Sequence, residues 1–189
     1  MPREAELLDI FGKRATARYG LAAVNQLQHA LQSATLAERQ GEIPAMIVAA
    51  LLHDVGHMVH PLGETPAAQG IDDRHEACGA DWLAAQFGPA VSEPVRLHVA
   101  AKRFLVAAEP AYFARLSSDS IRSLELQGGA MDTTEQAAFC AQPYFEAAVR
   151  LRRIDDAAKD PNARTPEFTY FLREYVDRLA PRRTSENCV

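Results

Sequence analysis

The sequence predicts an all-α domain, on three observations. Apolar residues recur at helical spacing in segment after segment. They nowhere alternate with period two between hairpin turns. Proline, glycine and capping residues punctuate the chain at helix-length intervals. A chain of 189 residues is long enough to enclose a sizeable core. With no repeat and no domain-splitting linker, one domain over residues 1–189 is expected, ordered from about 3 to 180.

Taken in order, Leu7, Leu8, Ile10 and Phe11 share one helical face, and that helix is expected to stop near Tyr19-Gly20. A second helix is expected from about Ala22 to Gln40, closed by Gly41, with Val24, Leu27, Leu31 and Leu36 as its buried stripe and His29 beside it. Pro44 suits the first position of a third helix, which carries the apolar run Ala49-Ala50-Leu51-Leu52 into His53-Asp54-Val55-Gly56-His57. Residues Pro61 to Asp73 read as a loop. A fourth helix is expected from His75 to Phe87, closed by Gly88-Pro89, and a fifth capped by Ser92 and holding Val95, Leu97, His98 and Val99. Pro110 opens a short helical piece, Ser118-Asp119 a helix reaching Gly128-Gly129, and Thr133-Thr134 another. Pro143 and Pro166 are expected to start the last two, one with Leu151 and Ile154, the other with Phe168, Phe171, Leu172, Tyr175 and Leu179; the tail after Pro181 frays.

Composition narrows the function. A formal net charge of -5 gives no general field for nucleic acid or anionic membrane, so an anionic ligand needs locally placed cations. Cys78, Cys140 and Cys188 have no C-x-x-C spacing, which argues against a disulfide framework or thiolate zinc site and fits a reducing cytoplasm. The start Met-Pro-Arg-Glu-Ala-Glu lacks a signal-peptide pattern, and no apolar run approaches the ~18 residues of a membrane span.

Chemistry concentrates in the histidines: His29, His53, His57, His60, His75 and His98. His29, His53, His75 and His98 fall on four different predicted helices near apolar faces. A lone histidine there is more often a satisfied core residue. Four on successive helices would each need a buried partner, and one shared metal centre serves them all. Asp54 leaves the helix about 100° from His53 and could reach between two metals. Asp155 ends an apolar stretch; its blander reading is a partner for Arg152 or a surface acid beside Asp156.

The order His29, His53-Asp54, His75, His98, Asp155 resembles the HD-domain superfamily, and the two extra histidines mark its dinuclear branch. Within it the chain is most similar to the mixed-valent di-iron phosphonate dioxygenases. That likeness runs through Val24 to His29, Ala49 to His57, His98 to Leu105 (HVAAKRFL), Leu124 to Asp132 (LELQGGAMD) and on to Asp155. The resemblance implies an HD-domain helical bundle around a dinuclear metal site. His29, His53, Asp54 and Asp155 would hold one iron, and Asp54 would bridge to a second held by His75 and His98. The implied cofactors are two Fe ions, Fe(II)/Fe(III), with O2 as co-substrate. Imidazole and carboxylate ligands alone would also accept manganese.

Register adds to this. Lys102 lies four after His98, His57 four after His53, Arg152 three before Asp155, and Ser120 and Ser123 form a same-face pair. These five make a reasonable phosphonate pocket, and the resemblance puts the phosphonate on the matching positions; Asp54, His57 and Lys102 are the expected catalytic residues. The partner is then a small-molecule hydroxyphosphonate, supplied by a 2-oxoglutarate-type hydroxylase. Family members that act on 2-amino-1-hydroxyethylphosphonate place a tyrosine and a glutamate ahead of the first histidine. Here Tyr19 keeps the gating position, but Ala22 replaces the glutamate. A primary ammonium would lose its charged acceptor, whereas a trimethylammonium has no N–H to satisfy. Tyr19, Tyr112, Phe104 and Asp132 are candidates for that end. The expected reaction is oxygen-dependent C–P cleavage of (R)-1-hydroxy-2-(trimethylammonio)ethylphosphonate to glycine betaine and phosphate. The alternatives are the primary-amine substrate, a plain HD phosphohydrolase, and a degenerate HD module used for binding or regulation, against which the six intact ligand positions speak.

Overall fold

The computed structural model describes residues 2–14, 24–59 and 71–179, and every regular element among them is helical. The expected all-α class is borne out. The centre is α3 (Pro44–Leu52), whose residues Met46 to Leu52 are all buried. A helix apolar on every side has to be enclosed, and α2 (Gln26–Arg39), α6 (Pro89–Ala108), α9 (Phe145–Ala157) and the C-terminal segment surround it. That segment is α10 (Phe168–Phe171), a π-helical turn Leu172–Val176, and α11 (Asp177–Leu179), with Phe171, Leu172 and Val176 buried in the main core. Leu7 and Phe11 of α1 (Pro2–Arg14) join the same core, and the rings of Phe11 and Phe168 lie 4.5 Å apart.

On the other side, α4 (Gly56–Val59) meets α5 (His75–Phe87), which lies along α6. A smaller cluster of Ala101, Met131, Phe139 and Ala148 joins α6 and α9 to α8 (Thr133–Cys140). The remaining helix, α7 (Ser118–Leu126), follows a single 3-10 turn, Phe113–Arg115.

Several boundaries differ from the expectation. Helix α2 starts at Gln26, not near Ala22, because Asn25 Oδ1 accepts from the Gln28 N–H at 2.8 Å while Gln28 Oε1 accepts from the Asn25 N–H at 2.9 Å. Gly88 (φ 78°) opens α6 with Pro89 in its first turn, and Ser92 is buried inside the helix, so it is no cap. Asp132 caps α8, reciprocated by Glu135. Pro110 sits in a turn, α9 starts at Phe145 after Pro143, and α10 starts two residues after Pro166. Tyr19, Ala22, His60 and the tail after Pro181 lie outside the described residues.

Candidate metal centre

The apolar α3 ends at Leu52, and a tightened turn (Val55 N–H to Leu52 C=O, 3.0 Å) swings the chain into α4. His53 and Asp54 therefore sit in the turn at the C-terminus of α3, where the helix dipole favours a cation. The expectation that His53 and His57 share one helical face is corrected here: His57 belongs to α4.

From this turn outward, two trios form. His29 of α2, His53 and Asp155 of α9 offer ligand atoms within 4.8 Å of one another, and so do Asp54, His75 of α5 and His98 of α6. Asp54 Oδ2 lies 3.7 Å from His29 Nε2 of the first trio, and its Oδ1 lies between the trios, 3.5 Å from His53 Nε2, 3.7 Å from His75 Nε2 and 3.9 Å from His98 Nε2. One carboxylate thus spans both halves. Asp155 divides its work similarly, with Oδ1 at 3.1 Å from His29 Nε2 and Oδ2 accepting from Arg152 at 2.9 Å.

The protons on the imidazoles are fixed by their outer partners. Nδ1 donates to the carbonyls of Ala158 (His29, 2.9 Å), Ala50 (His53, 2.9 Å) and Val95 (His98, 2.6 Å), and to Asp73 Oδ1 (His75, 2.9 Å). A carbonyl or carboxylate oxygen can only accept, so each ring in its neutral form carries its proton at Nδ1 and turns an Nε2 lone pair inward. Those nitrogens face each other at 3.1 Å (His29 and His53) and 3.3 Å (His75 and His98). Facing lone pairs repel unless a cation lies between them, and nitrogen and oxygen donors without thiolate suit iron, manganese or a similar divalent ion. The residues fit a dinuclear centre.

Electrostatics agrees. Burial opposes ionisation of Asp54 and Asp155, yet the surrounding imidazoles, with Arg152 and Lys159 for Asp155, hold both far below the usual carboxylate range. Burial works against charge on His29 and His75, yet Asp155 and Asp54 raise His29, and Asp73 and Asp54 push His75 up to about 9. At both rings the carboxylates call for a positive charge, which a metal at Nε2 would supply in place of the proton, while burial keeps His53 and His98 low.

A group of buried cations and hydroxyls adjoins the first trio. Lys102 Nζ, on a residue only 2% exposed, donates to Ser123 Oγ at 2.7 Å. Arg152 donates to Ser120 Oγ at 3.4 Å and to Tyr112 Oη at 3.2 Å, and pairs with Asp156, which also accepts from Tyr112. Burial, then the neighbouring Arg152 charge, lowers Lys102 to about 7. His57 lies over His75, ring centroids 3.9 Å apart, and donates from Nδ1 to Asp73 Oδ2 at 2.7 Å.

All the sequence-predicted site residues among those described are thus gathered in this region. Of the amine-end candidates, Tyr112 is bound into the Arg152 network, Asp132 caps α8 and Phe104 packs on Phe139. Sequence reasoning missed Asp73, two residues before His75, and Lys159, four after Asp155, which reaches Ser120 Oγ at 3.4 Å and Asp155 Oδ1 at 3.7 Å. Both spacings were available as signals; Asp73 was hidden by its place in a stretch that reads as loop.

Residues 27–133 match the HD-domain family, a span containing four of the converging histidines and Asp54. The chain belongs to the HD-domain family. It is 41% identical over 172 residues to the [1-hydroxy-2-(trimethylamino)ethyl]phosphonate dioxygenase (glycine-betaine-forming) of Leisingera caerulea, covering 89% of this chain and 88% of the relative. It is 46% identical over 154 residues to the hydroxymethylphosphonate dioxygenase of Gimesia maris, covering 81% and 75%. An uncharacterized protein of Acanthamoeba polyphaga mimivirus is 36% identical over 158 residues, covering 82% and 72%. The resemblance read from the HD pair and its flanking motifs is borne out, and no helix among the described residues is long and apolar enough to cross a membrane.

Proposed function

We propose that this protein is an oxygen-dependent phosphonate-cleaving enzyme acting on (R)-1-hydroxy-2-(trimethylammonio)ethylphosphonate, with glycine betaine and phosphate as products. What carries this reading is the 41% identity along 88% of a relative named for that reaction, in a chain whose buried imidazoles and carboxylates converge in two trios. His29, His53 and Asp155 would hold one metal, His75 and His98 a second, with Asp54 between them. Bound there as an Fe(II)/Fe(III) pair, two irons would supply oxygen binding and one-electron chemistry.

The protein's own groups do the rest. Lys102, Arg152, Ser120, Ser123 and His57 would grip the phosphonate oxygens, holding C1 and its hydroxyl against the metal side. Burial strengthens each of these charge-assisted contacts. Overall, the hydroxyphosphonate dianion and O2 give the carboxylate, hydrogen phosphate and one proton. The C–P bond and the C1–H bond break, one new oxygen goes to carbon and one to phosphorus. O2 accepts all four electrons, so no external reductant is consumed. The C1 hydroxyl has to be installed beforehand, a task for a 2-oxoglutarate-type hydroxylase. The exposed free thiols of Cys78 and Cys140 fit a reducing cytoplasm.

A second reading, hydroxymethylphosphonate as substrate, is favoured by the 46% identical relative. Ala22 in place of an ammonium acceptor suits it as well, since that substrate has no amine. Iron-loaded protein incubated with and without oxygen separates the readings. Oxygen-dependent phosphate release fastest with the trimethylammonio compound supports the first. Release fastest with hydroxymethylphosphonate, or from 2-amino-1-hydroxyethylphosphonate alone, replaces it. Phosphate released from a monoester under nitrogen points to a phosphohydrolase instead.

A further inference from the structure

Among the described residues, Asp73 is the carboxylate seen to hydrogen-bond both His75, a ligand candidate, and His57 on the substrate side. Its Oδ1 accepts from His75 Nδ1 at 2.9 Å and from the His75 backbone N–H at 3.3 Å, and its Oδ2 accepts from His57 Nδ1 at 2.7 Å. The two rings it holds are stacked, 19° from parallel. The chain bends sharply to achieve this. Arg74, between Asp73 and the first residue of α5, adopts φ 47° and ψ 39°, and is the only non-glycine residue with positive φ among those described. A left-handed arginine is disfavoured by roughly 1–2 kcal/mol. No glycine was placed there, yet the turn folds Asp73 back onto the ring two residues ahead.

We infer that Asp73 is a positioning residue serving both halves of the site. It fixes the His75 tautomer so that Nε2 is a metal ligand, and it fixes the His57 tautomer so that Nε2 is the atom offered to the phosphonate. A single carboxylate can do this because each oxygen accepts one Nδ1–H. Asparagine cannot, since its amide nitrogen only donates. In Asp73→Asn one imidazole has to move its proton to Nε2, and either result damages a named function. On His75 the metal loses its lone pair; on His57 the phosphonate meets the wrong hydrogen-bonding face.

The substrate half of this inference rests on the proposed phosphonate chemistry, and the metal half does not. The test is therefore read without turnover first. Fe(II) is titrated under nitrogen into wild type, Asp73→Asn, Asp73→Glu and His57→Phe, and inorganic phosphate is then titrated into each loaded protein. Asp73→Asn is expected to weaken one of two iron equivalents by about 10–100-fold, or, with both irons retained, to weaken phosphate by about tenfold while His57→Phe does the same. Asp73→Glu, which keeps both acceptors, is expected to recover part of the loss and guards against a variant that does not fold. Wild-type iron and phosphate affinities in Asp73→Asn would overturn the inference. So would equal weakening of both irons with no rescue by glutamate, the pattern of general damage. If wild type binds two irons but releases phosphate from no hydroxyphosphonate, the proposed function fails while the metal half of this inference is still decided.

Discussion

Gly56 is where α4 presses closest on α5, and the geometry there sets a quantitative test. A Cβ at position 56 would lie 1.9 Å from the carbonyl oxygen of His75, 2.6 Å from its carbonyl carbon and 2.9 Å from its Cα. All three are backbone atoms, so no side chain can swing aside. An ordinary C···O contact is about 3.3 Å, so Gly56→Ala has to part the two segments by roughly 1.4 Å. His75 begins α5, and its Nε2 is aligned with His98 Nε2 at 3.3 Å. Metal–ligand distances tolerate only about 0.2 Å. Gly56→Ala is therefore expected to lose the metal held by His75 and His98, to reduce kcat by about 100-fold or more, and to cost about 1–3 kcal/mol of stability by overpacking. Metal content per chain, thermal unfolding and phosphate release measure the three effects. Gly12→Ala is the matched control, because its Cβ would meet nothing within 4 Å; in the interior of α1 it is expected to stabilise by about 0.5–1 kcal/mol. Gly56→Ala with two metals and unchanged kcat would refute the idea that this contact sets His75.

Other perturbations address the remaining groups. Asp54→Ala removes a carboxylate that faces both trios and is expected to leave at most one metal per chain with no phosphate release; metal analysis after gel filtration checks it. Lys102→Met is expected to raise KM for the hydroxyphosphonate about 10–100-fold, from a charge-assisted contact of about 1.5–3 kcal/mol. It should also raise the melting temperature, since a desolvated ammonium is removed; a lower melting temperature contradicts the burial argument. Because free Lys102 titrates at about 7, its charged fraction falls as pH rises through that value, and a bound dianion restores the charge. Phosphonate binding at pH 8 is thus expected to take up a proton. Calorimetry in two buffers of different ionisation enthalpy measures this, and identical heats would count against it. Arg74→Gly relieves the left-handed strain but frees the unfolded chain, so activity and metal content should stay at wild-type levels with the melting temperature nearly unchanged; lost metal would mean that the arginine side chain itself matters.

The sequence was most informative where spacing alone constrains geometry. His98 and Lys102 lie one turn apart on α6 and both are buried on the site side, as expected. Asp155 and Arg152 pair at three-residue spacing on α9, as the bland reading has it, and the same carboxylate also lies 3.1 Å from His29 Nε2, the placement that the ligand reading requires. His53 and His57 show the limit. Four-residue spacing implies one face only while the helix continues, and α3 stops at Leu52. The turn closed by the Val55 N–H to Leu52 C=O bond carries His57 onto α4, where Gly56 packs against the backbone of His75. Asp73 had a readable spacing from His75, but its folding back onto that ring depends on the left-handed backbone at Arg74, which no residue type announces. Ser92 looked like a cap by type, but Gly88 and Pro89 had already begun the helix.

The first trio also dictates when this protein can become a metalloprotein. His29 and His53 are made early, but Asp155 and the Ala158 carbonyl that orients His29 come from the end of α9, and the His29–Ala158 bond closes a separation of 129 residues. A nascent or truncated chain ending before α9 carries the family-matching span 27–133 yet cannot assemble this trio. Completing this trio thereby needs nearly the whole chain. A metal bound only by the closed form would add to its stability in proportion to the logarithm of free metal concentration, so the supply of the ion would bear on the folded fraction as well as on activity.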